Sequence, residues 1–171
     1  MAVPKVVLSN TVPSSLTHTD EAALLARLHM AGFGKRSWTE AAFASLLRDA
    51  HTYALLATLS DERAGFVLWR TMAEEAEILT LAVAPEWQRQ GIAMVLLQSM
   101  KAELVPHEVK ECWLEVGVRN NTARALYRKA GYVECGRRPG YYRCPDGTRE
   151  DALLMRRKLP ISQVCSMMLK L

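Results

Sequence analysis

The sequence predicts a single α/β domain, with helices flanking a central sheet that mixes antiparallel and parallel strands. Three observations carry that prediction. Two segments with helical spacing of apolar residues lie near the N-terminus, three strand-like runs follow in close succession, and strand and helix patterns alternate after them. No repeat, low-complexity block or Pro/Gly/Ser-rich linker divides the 171 residues, half of them hydrophobic. One core therefore suffices, with a domain expected over residues 1–159 and a C-terminal tail over 160–171.

The elements follow in order. A short strand is expected at residues 3–8. In "THTDEAALLARLHMAGFG", polar capping candidates precede Leu24, Leu25 and Leu28, and glycines close the segment, as in a helix. The next segment, "SWTEAAFASLLRDA", sets Ser37 three residues before Glu40, the spacing of a capping box, with Phe43, Leu46 and Leu47 at helical spacing behind it. "TYALLATLSDERAGFVLWRTM" reads as a β-hairpin about a Ser-Asp-Glu-Arg turn, and "AEILTLAV" as a third strand. Between Gly91 and Leu104, the residues Ile92, Val95, Leu96, Met100 and Leu104 share one face, which predicts a helix lying on a sheet. "KECWLEVGV" is a buried strand, and "NNTARALYRKAGY" a helix with Ala123, Leu126, Tyr127 and Ala130 on one face and Gly131 closing it. A strand at "YVECGRR", the turn-rich "PGYYRCPDGTR" and a last strand at "DALLMRRKL" complete the chain.

Composition narrows the partners. A net charge of +4 suits an anionic ligand but is too small to indicate a nucleic-acid surface. No apolar run approaches the length of about 18 residues that spans a membrane, and the start "MAVPKVVLSN" lacks a signal-like apolar core. A cytoplasmic protein without membrane or direct nucleic-acid partners is expected. The four cysteines, Cys112, Cys135, Cys144 and Cys165, show neither metal-site nor disulfide spacing, so no metal is expected, and Cys112 and Cys135 are read as buried packing residues.

Chemistry concentrates in two places. The stretch "APEWQRQGIAMVLL" joins a strand to a helix through a corner containing Gly91 and the small Ala93. A helix start of this kind offers unpaired amides and the positive end of the helix dipole to a phosphate. Downstream, Glu115 stands between Leu114 and Val116 in an otherwise apolar strand, where partial desolvation suits a carboxylate to accept a proton. The residues alone leave open a sheet-edge carboxylate paired with an arginine. They likewise leave Tyr127 as either a core tyrosine or a proton donor, Asn120 as a plain helix cap, and Tyr141 with Tyr142 as an aromatic pair over the sheet.

Strand "ILTLAV", Pro85 and then Gln88-x-x-Gly91-x-Ala93 resemble the acetyl-CoA signature Q/R-x-x-G-x-G/A of the GCN5-related N-acetyltransferases. "WLEV" and the pattern N-x-x-A-x-x-L-Y-x-K-x-G-[FY], met from Asn120 to Tyr132, resemble the second half of the same fold. Trp38-Thr39-Glu40 and the tail "RRPGYYRCPDGTREDALLMRRKL" resemble its RimI group, which acetylates the N-terminal alanine of ribosomal protein S18. The resemblance covers roughly residues 20 to 159.

It implies a sheet whose two central strands splay at a bulge to admit acetyl-CoA. Leu81, Ala82 and Val83 would bond the pantetheine arm, and Arg89, Gln90, Gly91, Ile92, Ala93 and Met94 would present amides to the diphosphate. Asn120 would bond the cofactor as well as cap its helix. Glu115 is implied as general base, Tyr127 as the acid that protonates the departing thiolate, and Tyr141 and Tyr142 as a wall of the slot for a peptide N-terminus. The implied activity is N-α-acetylation of a protein N-terminus, that of ribosomal protein S18. A lysine side chain or small amine is the alternative acceptor, and a non-catalytic acetyl-CoA sensor would need neither Glu115 nor Tyr127. Acidic residues in the slot would point to a polycationic small molecule, and the sequence places none in evident proximity to Tyr141. One departure stands out: the arginine usual after L-E-V is replaced by Gly117, followed by Val118 and Arg119.

Overall fold

The computed structural model describes residues 7–11, 18–144 and 146–160. Seven strands form one sheet: β1 (Val7–Thr11), β2 (Thr52–Leu59), β3 (Glu62–Met72), β4 (Glu75–Val83), β5 (Glu111–Gly117), β6 (Val133–Arg143) and β7 (Arg149–Lys158). Four helices accompany them: α1 (His18–Phe33), α2 (Glu40–Leu47), α3 (Ile92–Leu104) and α4 (Asn121–Lys129). The spatial order is β1-β2-β3-β4-β5-β7-β6, antiparallel throughout except for the parallel pair β4 and β5. That is the mixed sheet expected from the pattern. Most of the expected first strand, at residues 3–6, and nearly all of the tail lie outside the described residues.

Period-two alternation sends each central strand to two cores. Leu55, Val67, Ile78 and Leu114 pack on one face with Ile92, Leu96 and Met100 of α3. Leu56, Phe66, Leu68 and Ala82 pack on the other with Leu25 of α1 and Phe43 of α2. The hairpin turns on Ser60 and Asp61, both at positive φ (49° and 64°), the conformation whose twist matches that of the flanking strands. β6 runs further than its sequence pattern suggests. Part of the turn-rich segment joins the strand across a bulge between Arg138 and Tyr142, with Gly140 at φ 59°.

Two expectations are corrected. Ser37 does not cap α2: Thr39 does, its hydroxyl accepting from the Ala42 amide at 3.2 Å, while the Ser37 hydroxyl lies 3.0 Å from His29 Nδ1. The buried histidine needs partners more than the helix needs a second cap. Cys135 is exposed rather than buried, because β6 is the outer strand of the sheet and most of it faces solvent. Cys112 is buried as expected; its thiol accepts from the Tyr132 hydroxyl at 3.1 Å, and burial pushes its pKa up to about 11.

His29 ties the α1 side to the sheet. Its ring is 2% exposed and stacks on Phe33 with centroids 4.1 Å apart. Nδ1 accepts from the Trp38 amide at 3.1 Å, which leaves the proton on Nε2 to be donated to Thr80 Oγ1, also at 3.1 Å. Burial lowers its pKa from 6.5 to about 4. Below 6.5 the unfolded chain takes up a proton that the folded ring refuses, so stability present above that pH is lost as pH falls toward 4. The loss is about 3 kcal/mol. Melting temperature is expected to fall between about pH 7 and about pH 4.5, with a shallower fall in His29→Gln; equal slopes in the two proteins would refute the assignment.

Candidate active site

The site begins where β4 and β5 part. Leu68 lies opposite Thr80 but Trp69 opposite Ile78, so Leu79 is an extra residue in β4, a bulge that bends the strand. Pairing with β5 runs only from Glu75 opposite Glu111 to Ile78 opposite Leu114. Past the bulge, β4 stays on β3, where Gly65 is required because a Cβ would come within 2.5 Å of the Ala82 carbonyl. β5 meanwhile stays on β7, with Glu115 opposite Leu154. A cleft of about 680 Å³ opens between the two.

Hydrogen bonding in antiparallel strands alternates, which decides what the parted edge of β4 offers. The Ala84 amide bonds to the Ala64 carbonyl at 2.9 Å, so Ala82 also turns its backbone groups to β3. Leu81 and Val83 turn theirs away from β3, and the Val83 carbonyl already accepts from Gln88 Nε2 at 3.0 Å. Of the three residues expected to hold an extended ligand by backbone bonds, Ala82 is therefore spent on its neighbour, and only Leu81 lines the cleft.

At the C-terminal end of β4 the chain turns through Arg89 (φ 63°) and Gly91 (φ 83°) into α3. The left-handed conformation, not crowding, calls for glycine, since a Cβ at position 91 would meet nothing within 4 Å. The Gly91 carbonyl takes the amides of Met94 and Val95 at 3.0 and 3.1 Å, which withdraws Met94 from the expected set of free amides. Among the described residues, no acceptor meets the amides of Arg89, Gly91, Ile92 and Ala93, while that of Gln90 closes the turn through residues 88 and 89. This is the donor set that a diphosphate at a helix start requires, so the residues fit the cofactor expected there.

Glu115, Tyr127, Asn120, Tyr141 and Tyr142 all line the cleft. The Glu115 side chain is 14% exposed; it forms an ion pair with Arg138, Oε1 lying 2.9 Å from Nε, and the Tyr141 hydroxyl lies beside it. Arg138 further lies 5.5 Å from the Tyr141 ring centroid. The arginine-paired carboxylate and the cleft carboxylate, alternatives in the sequence, are thus one residue. Tyr127 is 8% exposed, its ring 5.8 Å from that of Tyr132 in an edge contact. Burial raises the pKa of its hydroxyl above the usual phenol value, so it stays protonated, and among the described residues it has no hydrogen-bond partner. Asn120 caps α4, accepting from the Ala123 amide at 3.1 Å. Tyr141 and Tyr142 meet edge to face at 5.0 Å. Burial, then the charges of Glu115, Tyr141 and Glu150, push Tyr142 up to about 12.

The fold adds residues that the sequence did not single out. Arg36, Arg138 and Glu150 join the site, and Glu77 and Glu150 bring the carboxylates on the cleft to three with Glu115. The expectation of no acidic cluster near Tyr141 is thereby overturned. The only local signal was Glu150 in "REDA", two residues before Ala152, on the strand face that period-two alternation shares with Leu154.

The model of the Acetyltransferase (GNAT) family matches residues 22–132, from within α1 to just beyond α4. The chain belongs to this family and is an acetyl-CoA-dependent N-acetyltransferase. It is 38% identical over 125 residues to the ribosomal protein bS18-alanine N-acetyltransferase of Escherichia coli, spanning 73% of this chain and 82% of that protein. The enzyme of the same name from Haemophilus ducreyi is 37% identical over 98 residues, 57% of this chain and 68% of that one. The crystal structure of the ribosomal-protein-S18-alanine N-acetyltransferase from Escherichia coli matches with a TM-score of 0.82 and 28% identity, covering 94% of this chain and 97% of that chain.

Proposed function

We propose that this chain moves acetyl from acetyl-CoA directly to the α-amine of a protein N-terminus, with the N-terminal alanine of ribosomal protein bS18 as acceptor. The observation that carries the reading is that Glu115 and Tyr127, from β5 and α4, line one cleft at the point where β4 and β5 part. The names of its relatives support the acceptor.

An α-amine titrates near 8, so at neutral pH it arrives mostly as ammonium and must lose a proton before it can attack. Glu115 takes that proton, directly or through a water. The N–C bond forms as the C–S bond breaks; Tyr127 gives its proton to the departing sulfur and regains one from the acylated nitrogen, directly or through a water. Leu81 and the Val83 amide bond the extended arm, the amides of Arg89, Gly91, Ile92 and Ala93 hold the diphosphate, and Asn120 lies beside the cofactor. Tyr141 and Tyr142 flank the acceptor. The domain over residues 1–159, with 160–171 as a tail, and a cytoplasmic setting belong to the same reading. The three carboxylates also favour a second acceptor class, a cationic small amine.

The test follows thiol release from acetyl-CoA with a peptide that begins at a free alanine, its N-terminally blocked copy, and polyamines. Release with the free peptide alone is expected. Activity confined to the polyamines would overturn the acceptor.

A further inference from the structure

The geometry points to Glu150 as the residue that captures the cationic acceptor amine, in exchange for Arg36. This rests on the reading of the cleft as the place where an amine meets acetyl-CoA.

Glu150 stands near the start of β7, and its side chain, 7% exposed, lines the cleft beside Tyr142. A carboxylate so far removed from water needs a compensating charge or hydrogen bonds. One oxygen has a fixed partner, the Arg119 amide at 2.8 Å to Oε1. The other, among the described residues, has a loose one, Arg36 Nη1 at 4.0 Å from Oε2. Arg36 belongs to the short turn after α1, and its side chain is 53% exposed. The pair therefore links the α1 wall of the cleft to β7. An ion pair this long and this wet contributes little, so an incoming cation can replace it.

Gly117 shows why the position is open. A Cβ there would stand 2.6 Å from Glu150 Oε1, so the carboxylate occupies space that any other residue at 117 would contest. The neighbouring strand thus sends no cation of its own to Glu150 from that position. An ammonium entering between Arg36 and β7 finds a nearly buried anion whose guanidinium partner among the described residues, Arg36, is displaceable. It also finds, two strand residues before Gly117 on the same face, Glu115, to which its proton passes. Glu150 binds the charged amine, and Glu115 deprotonates it.

The experiment measures acceptor and acetyl-CoA KM and kcat for the wild type, E150Q and R36A, with whichever amine the wild type acetylates. Glutamine still accepts from the Arg119 amide, so E150Q removes the charge and little else. It is expected to raise acceptor KM about tenfold or more with kcat nearly kept and acetyl-CoA KM unchanged. R36A is expected to lower acceptor KM, because it removes the competitor. That direction is opposite to what loss of a merely structural bridge would produce. An E150Q acceptor KM within about twofold of wild type, or an R36A acceptor KM that is unchanged or raised, overturns the inference. Because Arg36 is exposed, its variant decides the matter even if E150Q melts early. A wild type silent toward every amine overturns the functional reading along with this one; an active wild type with an unchanged E150Q overturns this one alone.

Discussion

Glu115→Gln is expected to lower turnover by about 10²- to 10⁴-fold while acetyl-CoA binding persists. The carboxylate pairs with Arg138 beside Tyr141 on one wall of the cleft, and glutamine keeps its shape while losing the ability to take a proton. Arg138 is 59% exposed, so leaving it without its anion costs little stability, and the variant should melt close to the wild type. Steady-state thiol release and calorimetric titration with acetyl-CoA separate the two effects. A variant that turns over as the parent does would remove Glu115 from the chemistry and leave it a structural partner of Arg138. If cofactor affinity fell in step with rate, the residue would be shaping the cleft.

The second large effect is expected from Tyr127→Phe, a loss of about 10²-fold in turnover. The usual objection to reading a buried tyrosine as a proton donor is that its hydroxyl holds the fold together. Here, among the described residues, that hydroxyl has no partner, while the ring packs against Tyr132 in a way phenylalanine reproduces. Melting temperature should therefore be unchanged as the rate falls. Burial, which raises the pKa of Tyr127, keeps the proton in place through the working pH range until a basic thiolate appears beside it. Full activity in the variant would show that the thiolate leaves without help or takes its proton from water.

Some of this was legible in the residues alone because it is local. Apolar spacing placed α3 and α4, and Gly91 and Gly131 punctuate them through φ values of 83° and 88° that other residues adopt reluctantly. The order of elements and the pairing of motifs about Gly91 and Tyr127 likewise survive into the fold. The errors came where a local rule met a tertiary demand. Ser37 and Glu40 have the spacing of a capping box, yet the serine turns to His29, whose burial could not be read from a single histidine in a helix. Cys135 looks like a packing residue until its strand proves to be the edge of the sheet.

By itself the sequence determined the alternation of strands and helices, the helix start at Gly91 and the candidacy of Glu115 and Tyr127, all properties of neighbours along the chain. Only the tertiary structure decided which backbone groups of β4 remain free, that Met94 is already bonded, and that Arg138 and Tyr141 close on Glu115. It also decided that Glu150 comes to lie against Gly117, thirty-odd residues away, under an arginine from the far wall. The reason is register: which side chain faces which depends on how β5 pairs with β7 and where β4 leaves β5, and pairing between distant strands leaves no periodic mark in either one.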